Sequence, residues 1–282
     1  MIVLLSGGHV MIEDVPGVGK TVLAKSLARA AGCHYSRLQC TADLLPADVT
    51  GVTVWDQNAG AFVFRPGPVF ANVILVDEIN RASPKTQSAL LECMEEGQVT
   101  VDGETRVLPR PFMIIATQNP VEYEGTFPLP EAQLDRFAAR VAIGYPAAAD
   151  EAAMLVDLAA RDPLDLVRPV ADEAGIVAAR RVVDRVHADP ALAEYVVGLA
   201  SATRRDPRVA LGASPRAGLA LLRASKARAL VEGRGYATPD DVRALGRAVM
   251  AHRIILTPDA RARGAGVEDV VADALESVPV PL

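Results

Sequence analysis

A glycine-rich loop between an apolar run and a helical pattern constrains the fold of this chain more than any other feature. The apolar run is Val-Met-Ile at 10–12. The loop consists of Pro16, Gly17, Val18, Gly19, Lys20 and Thr21. The predicted helix that follows carries on one face Val22, Leu23, Leu27 and Ala30. A strand, a glycine turn, Lys-Thr and a helix form the order in which a chain wraps phosphate groups. The sequence therefore predicts a phosphate-binding loop in an α/β fold.

Each residue type in the loop suits a phosphate ligand. Gly17 and Gly19 let the backbone approach an anion with its N–H groups, and the start of the helix adds partial positive charge. Lys20 can reach the β- and γ-phosphates, and the Thr21 hydroxyl can ligate Mg²⁺. The first glycine of the pattern G-x-x-x-x-G-K-T falls at residue 14, where this chain has Asp14. Because a carboxylate repels phosphates, we expect the Asp14 side chain to turn away from them.

A second motif, Asp77-Glu78, ends the continuous apolar run at 73–76. A run without polar residues is typical of a strand buried on both faces of a parallel sheet. Ligands of open α/β sheets bind at the carboxyl ends of such strands. Asp77 is suited to hold Mg²⁺ through its water ligands, and Glu78 is suited to polarise a water that attacks phosphorus.

Three further polar residues become candidate site residues only in combination with these two motifs. Asn119 follows the predicted strand at 112–116, where its amide can position a water or contact a γ-phosphate. By itself it is more typical of a turn residue before Pro120. Arg136 and Arg216 are candidate phosphate contacts, and Arg216 lies in the first turn of a helix predicted to begin after Ser214. A lone arginine is more often a surface residue.

Length and composition limit the remaining possibilities. At 282 residues, the chain exceeds the about 100–200 residues of one domain, so we expect two. The net charge of −6 argues against a nucleic-acid binder. Three cysteines without a C-x-x-C pattern predict neither a disulfide framework nor a zinc site. No apolar run reaches the about 18 residues of a membrane helix, so we expect a cytoplasmic protein without a membrane partner.

Patterns elsewhere predict a second, helical domain. Gly144-Tyr145-Pro146 marks the expected boundary, and helical periodicity dominates after it. One of these helices is expected to bury Leu219, Leu222 and Leu230. In the first domain, alternating apolar residues at 52–64 predict a hairpin with Trp55 beside its turn. We interpret Trp55 as a packing residue rather than as a contact with a partner. Asp102-Gly103 predicts a second hairpin.

Together, these motifs resemble the MoxR family of AAA+ ATPases over nearly the whole chain. The resemblance is carried, in order, by Pro-Gly-Val-Gly-Lys-Thr at 16–21, Phe-Arg-Pro-Gly-Pro at 64–68, Leu-Val-Asp-Glu-Ile-Asn-Arg-Ala at 75–82, Ala-Thr-Gln-Asn-Pro at 116–120 and Leu-Asp-Arg-Phe at 134–137. The departure at Asp14 is common in this family. The combination is highly specific.

The resemblance implies an α/β fold, namely an αβα nucleotide-binding core with a parallel sheet over 1–145 and a helical lid over 146–282. It implies ATP and Mg²⁺ as cofactors, with Thr21 and Asp77 at the metal. The implied nucleotide contacts are Pro16, Gly17, Val18, Gly19, Lys20, Thr21, Val22 and Asp77. The implied catalytic set is Lys20, Glu78, Asn119 as sensor one, Arg216 as sensor two, and Arg136 as an arginine finger for a neighbouring subunit.

The resemblance also implies a homo-oligomeric ring, often a hexamer, that acts as a chaperone on protein clients. Proteins with a von Willebrand factor A domain are the implied partners. The segment around 43–64 and the Asp102-Gly103 hairpin match two insertions that face the ring pore. Family members have a helix and an Ile/Val-Gly-Gln turn before the first strand, which help hold adenine. This chain begins almost at the strand, so adenine recognition is the least predictable part.

Three other functions remain open at the level of sequence. A catalytically weak nucleotide-binding subunit that works with a homologue would fit the short N-terminus, although Glu78, Asn119 and Arg136 argue against it. A P-loop kinase would have little use for Arg136 acting between subunits. A DNA helicase would need basic surfaces, for which the candidate residues are Arg204, Arg205, Arg208, Arg223, Lys226 and Arg228.

Overall fold

The structure, a computed structural model of the chain, describes residues 1–119, 125–158 and 163–281. Its strands are β1 (Val10–Glu13), β2 (Tyr35–Gln39), β3 (Gly51–Asp56), β4 (Ala61–Pro66), β5 (Val73–Asp77), β6 (Gln98–Val101), β7 (Glu104–Val107), β8 (Met113–Gln118), β9 (Ala139–Val141), β10 (Val209–Leu211) and β11 (Ile255–Leu256). Its α-helices are α1 (Ile2–Leu5), α2 (Lys20–Ala30), α3 (Pro46–Thr50), α4 (Pro84–Glu96), α5 (Glu131–Leu134), α6 (Ala148–Leu158), α7 (Glu173–Arg185), α8 (Pro190–Arg205), α9 (Pro215–Val231), α10 (Pro239–Met250), α11 (Pro258–Ala262) and α12 (Val267–Ser277). Short 3-10 turns lie at Ile79–Arg81, Pro163–Leu166 and Ala251–Arg253.

The chain divides into two compact units. We call residues 11–129 and 141–177 the core unit, and residues 1–10, 130–140 and 178–282 the helical unit. The boundary predicted after residue 145 stays a prediction. None of the helices in the described residues has the length and apolarity that a membrane span requires.

A five-stranded sheet in the order β2-β5-β8-β1-β9 organises the fold. β5 runs parallel to both β2 and β8, with Leu75 opposite Arg37 on one side and Ile115 on the other. The predicted buried strand is confirmed, since all four residues of 73–76 are inaccessible to solvent. An apolar strand between two parallel neighbours brings Asp77, its last residue, to the carboxyl edge of the sheet.

Helix α4 begins and ends where the sequence predicts. Ser83 is its N-cap and accepts a hydrogen bond from the backbone N–H of Thr86, and Gly97 ends it in the left-handed conformation. Helix α2, which follows the glycine loop, also forms as predicted, but the apolar face predicted for it is not its buried face. Ala24 and Ala28 are its buried residues, whereas Val22 and Leu23 are exposed.

Two predicted hairpins are confirmed in the core unit. β3 pairs antiparallel with β4, and β6 with β7 across Asp102 and Gly103, both of which have positive φ. Trp55 contacts Phe62 edge-to-face at 5.1 Å between ring centroids. The two side chains nevertheless stay 54 % and 72 % exposed, so Trp55 is not a core residue.

The helical unit holds α8 to α12. α9 contacts α1, α8 and α10, and its buried face differs from the predicted one. Leu219 is exposed, and Leu222 and Leu230 are only partly buried. The buried residues of α9 are Ala217, Leu221, Ala224, Ser225, Ala227 and Ala229. Because α9 is packed by several neighbours, small side chains that allow close approach are buried instead of the leucine row.

Candidate functional site

One cavity of about 250 Å³ in the core unit collects most of the residues that the sequence singled out. It lies where the glycine loop meets the carboxyl edge of β2, β5 and β8. Its lining residues are Pro16, Gly17, Gly19, Lys20, Thr21, Val22, Arg37, Gln39, Asp77, Glu78, Thr117 and Asn119. Val18 is part of the loop but does not line the cavity. Asn119 is buried there, and Pro120 beside it lies outside the described residues.

The glycine loop adopts the conformation that only glycine takes without strain. Gly17 has φ 88° and Gly19 has φ 86°, both in the left-handed region. Gly19 is the N-cap of α2, and among the described residues no side chain caps that helix. The first-turn N–H groups of α2 are therefore oriented toward the loop without a side-chain acceptor. Lys20 Nζ donates to the backbone oxygen of Asp14 at 2.5 Å, which folds the lysine over the loop.

Asp14 turns away from the cavity, as the sequence predicts. Its Oδ2 accepts hydrogen bonds from the backbone N–H groups of Ile143 at 2.5 Å and Gly144 at 2.7 Å. Its Oδ1 accepts from the N–H of Val15 at 2.8 Å. The hydrogen bond from Gly144, with those from the other amides, lowers the pKa of Asp14. In this position the carboxylate anchors the segment at 143–144 to the loop.

Asp77 has protein partners on both carboxylate oxygens. Oδ1 accepts from the Thr117 hydroxyl at 3.3 Å, and Oδ2 accepts from Arg37 Nε at 2.7 Å. The same Thr117 oxygen accepts from the backbone N–H of Glu78 at 2.9 Å. Thr117 thus ties the end of β8 to both acidic residues.

Glu78 is held in a strained conformation at the edge of the sheet. It is one of two non-glycine residues with positive φ among those described, with φ 55° and ψ 53°. Such a conformation costs about 1–3 kcal/mol and is frequent at functional sites. Its Oε2 accepts from Gln39 Nε2 at 3.0 Å and from Arg81 Nη1 at 3.1 Å. These contacts fix the direction of the carboxylate at the cavity.

Sequence reasoning missed three residues of this cavity, namely Arg37, Gln39 and Thr117. The signal for the first two is the alternation of polar residues at the end of β2. Positions 37 and 39 share one face of the strand, and Gln39 lies opposite Asp77 in the parallel register. Finding them requires the strand order, because β2 and β5 are separated by two intervening strands in the chain.

The two arginines proposed as phosphate contacts belong to the helical unit. Arg136 is half-buried after α5, and Arg216 is exposed in the first turn of α9. Asp135 lies beside both segments, since it accepts from Arg253 Nε at 2.6 Å and from the Ser214 hydroxyl at 3.2 Å. Arg253, which is almost fully buried, also donates to the backbone oxygens of Phe137 and Asp135. This network fixes the backbone around Arg136 and the start of α9.

The cysteines take no part in the site chemistry. All three are free, and Cys40 and Cys93 are buried. Burial raises the pKa of each of these two thiols to about 12, so both stay protonated at neutral pH.

The residues of the cavity fit a nucleotide phosphate with Mg²⁺. Mg²⁺ prefers oxygen donors and is usually bound by one or two carboxylates together with substrate phosphates. The cavity offers the Thr21 hydroxyl and the Asp77 carboxylate as oxygen donors, and an uncapped helix start with Lys20 as the anion site. Its volume of about 250 Å³ lies below the about 300 Å³ at which pockets for drug-sized ligands begin, so it suits the phosphate end of a nucleotide.

Comparison with known proteins identifies relatives along the full chain. Residues 9–139 match the ATPase family associated with various cellular activities (AAA), and residues 201–274 match an AAA lid domain. The chain is 48 % identical to the uncharacterized protein YeaC of Bacillus subtilis, over 99 % of this chain and 87 % of that protein. It is 40 % identical to the chaperone MoxR1 of Mycobacterium tuberculosis, over 99 % of this chain and 76 % of MoxR1.

Two further proteins are similar to this chain over nearly its whole length. The protein MoxR of Methylorubrum extorquens is 36 % identical over 99 % of this chain and 88 % of its own length. A crystal structure of a candidate ATPase from Cytophaga hutchinsonii superposes with a TM-score of 0.93 at 36 % identity, covering 100 % of this chain and 88 % of that one. The chain therefore has an AAA+ fold with a parallel central sheet and a helical lid, and it belongs to the MoxR family of AAA+ ATPases.

Proposed function

We propose that this protein is a Mg²⁺-dependent ATPase that forms a hexameric ring and remodels or assembles protein clients. One observation carries the proposal: the glycine loop, both acidic residues and Asn119 line the same cavity of the core unit. Phosphate binding, metal binding and water activation need these groups within reach of one another. The relation of the chain to AAA+ ATPases supports the same reaction.

Each cavity residue has a role that its chemistry supports. Bound Mg²⁺ would neutralise the charge that develops on the phosphate oxygens during hydrolysis. Thr21 and Asp77 would hold that metal, and Lys20 would donate to the β- and γ-phosphates. Glu78 would accept a proton from the attacking water. Asn119 would donate from its amide to that water or to the γ-phosphate.

The two arginines of the helical unit would complete the site. Arg136 would act as an arginine finger toward the nucleotide of a neighbouring subunit, and Arg216 would act as sensor two. The Asp135–Arg253 network supports both roles, because it orders the backbone beside each arginine. An arginine finger contributes about 10³–10⁵ in rate in other nucleotide hydrolases.

Protein clients are favoured over nucleic acid as the target of this ATPase. Two of the six basic residues that a DNA-binding surface would use form ion pairs within the helical unit. Arg208 pairs with Asp206 and Asp273, and Arg228 pairs with Asp241. The chaperone name of the Mycobacterium tuberculosis relative supports a protein client. We extend the proposal to partners with a von Willebrand factor A domain and to a cytoplasmic location, which three reduced cysteines fit.

The division into a core at 1–145 and a lid at 146–282 is part of the same proposal. Among the described residues after 145, helices outnumber strands, and the match to an AAA lid domain at 201–274 falls within that part.

The test is ATP turnover per subunit, measured with Mg²⁺ over a wide range of protein concentrations. A rate that rises steeply with concentration is expected, because Arg136 must reach a neighbouring subunit. A constant measurable rate would mean a site complete within one chain and would favour a kinase-like enzyme. No turnover at any concentration would favour a catalytically weak subunit that works with a homologue.

A further inference from the structure

Arg37 forms an ion pair with Asp77, whose carboxylate the proposed function assigns to Mg²⁺. Its Nε donates to Asp77 Oδ2 at 2.7 Å, and the pair also forms a salt bridge at that distance. Arg37 belongs to β2, opposite Leu75 of β5, so its side chain runs along the sheet toward the end of β5. The Arg37 side chain is 50 % exposed and that of Asp77 is 13 % exposed. The guanidinium therefore faces the cavity and covers an otherwise buried acid.

The same arginine begins a chain of hydrogen bonds to the second acidic residue. Arg37 Nη2 donates to Gln39 Oε1 at 3.2 Å, and Gln39 Nε2 donates to Glu78 Oε2 at 3.0 Å. Because a guanidinium only donates, it turns the amide oxygen of Gln39 toward itself and the amide nitrogen toward Glu78. This chain of hydrogen bonds runs from Asp77 through Arg37 and Gln39 to Glu78. It thus links both carboxylates through two residues of β2.

We propose that Arg37 is a positioning residue that serves as a built-in counter-ion of Asp77 and competes with Mg²⁺ for that carboxylate. This inference rests on the proposed function, since it takes Asp77 as a magnesium residue. With Thr117 on Oδ1 and Arg37 on Oδ2, Asp77 is neutralised without a metal. A magnesium nucleotide must then displace the guanidinium or bind beside a like charge, and either event weakens metal binding.

The proposal predicts the direction in which a charge-neutral variant changes metal binding. In Arg37→Gln, Asp77 loses its counter-ion and becomes a better acceptor for the water ligands of Mg²⁺. We expect the affinity for a fluorescent N-methylanthraniloyl-ADP in saturating Mg²⁺ to rise about fivefold, the upper end of what a partly exposed ion pair contributes. The affinity for the same probe in EDTA should fall by at most about twofold, because the uncompensated Asp77 carboxylate then repels the phosphates and no metal offsets it. Binding is measured by fluorescence titration, without turnover.

Two variants serve as controls. Arg29→Gln removes the same charge from α2 in the same unit, where Arg29 contacts the backbone oxygen of Leu164, and it should leave both affinities unchanged. Arg37→Lys keeps the charge and should keep the wild-type ratio of the two affinities. If Arg37→Gln does not fold, Arg37→Thr gives the same test with a residue that favours strands.

The outcomes separate this inference from the proposed function. An unchanged or weakened affinity in Mg²⁺ would overturn it and would make Arg37 a support of the metal site. A loss of affinity in EDTA without a gain in Mg²⁺ would also overturn it, because Arg37 would then be a phosphate ligand. Wild-type protein that binds the probe in neither condition would instead count against the proposed function itself.

Discussion

At the scale of the single residue, the left-handed backbone conformation of Glu78 is the strongest indication of a functional site. Its left-handed backbone is maintained by the hydrogen bond from its N–H to Thr117, and its carboxylate by Gln39 and Arg81. A glutamate that served only packing would not need such a backbone. The strain is offset by contacts that aim one carboxylate at the cavity.

We predict that Glu78→Gln binds ATP normally but hydrolyses it about 10²–10⁴-fold more slowly, because an amide cannot accept the proton of the attacking water. The amide oxygen can still accept from Gln39 and Arg81, so the fold should persist. Nucleotide binding and single-turnover hydrolysis are measured on the same preparation. Glu96→Gln, an exposed change at the end of α4, is the control. Wild-type turnover in Glu78→Gln would remove Glu78 from the mechanism.

A second residue, His252, predicts how stability depends on pH. It is buried, with Nε2 at 3.0 Å from the backbone oxygen of Phe137. Burial, with the adjacent Arg253, lowers the pKa of His252 from 6.5 to about 3. Between these values the unfolded chain binds a proton that the folded chain does not. Stability from this group is therefore complete above pH 6.5 and falls as the pH decreases.

Between about pH 7.5 and about pH 5, we expect wild type to lose about 2 kcal/mol more free energy of unfolding than His252→Gln. The reason is that each pH unit below 6.5 costs the wild type about 1.4 kcal/mol. The range stays above the titration of ordinary carboxylates. Urea denaturation at the two pH values measures the difference between the variants. Equal losses would mean that His252 is protonated in the folded protein.

At the scale of the element, α9 and α10 are joined by a buried carboxylate. Asp241 has a fully buried side chain and accepts from Arg228 at 2.7 Å and from Arg234 at 2.6 Å. It also accepts from the backbone N–H of Thr238 at 2.8 Å, which completes the capping box of α10. Burial alone would raise the pKa of Asp241, but the hydrogen bonds from Arg234 and Thr238 lower it.

Removing this carboxylate should destabilise the protein through the helical unit. Asp241→Ala removes the buried acceptor of Arg228, Arg234 and the Thr238 amide, although both arginines keep their ion pairs with Glu232. We expect a loss of about 2–3 kcal/mol in the free energy of unfolding. Asp240→Ala changes the exposed neighbour in the same helix turn and should stay within about 0.5 kcal/mol of wild type. Chemical denaturation measures both. Similar losses in the two variants would mean that the Asp241 pairs contribute no net stability.

Elements differ in how well the sequence predicts them. β5, the cap of α4 and the Asp102-Gly103 hairpin were predictable, because each depends on a local pattern. The buried faces of α2 and α9 were not, since hydrophobicity favoured leucine and valine where the packing uses alanine. Arg37, Gln39 and Thr117 were also missed, because their place beside the acidic pair depends on which strands are neighbours in the sheet.

At the scale of the whole molecule, the proposed ring divides each active site between two chains. The cavity residues belong to the core unit, and Arg136 belongs to the helical unit. If Arg136 acts on the nucleotide of a neighbouring subunit, a ring that mixes two variants contains some intact sites. In those sites, the glycine loop comes from the subunit that lacks Arg136, and Arg136 comes from the subunit with the damaged loop. Recovery of activity on mixing two inactive variants therefore distinguishes a site shared between subunits from a site complete within one chain.

We therefore predict that mixing Arg136→Ala with Lys20→Ala restores ATP turnover above the sum of the two separate proteins. The intact loop of one subunit would then meet the intact finger of the other. A mixture of Glu78→Gln with Lys20→Ala is the matched control, because both changes affect the same cavity and cannot complement each other. Turnover is measured after subunit exchange. Equal inactivity of both mixtures would contradict a site shared between chains.

The edge-to-face pair of Trp55 and Phe62 has a practical consequence for spectroscopy. The chain has one tryptophan, and it stands largely in water on the β3–β4 hairpin rather than in a core. Intrinsic tryptophan emission of this protein therefore reports the surroundings of that hairpin and changes little when the core alone loosens. Unfolding is better followed by circular dichroism, and the native fluorophore is a label-free sensor of anything that covers the hairpin.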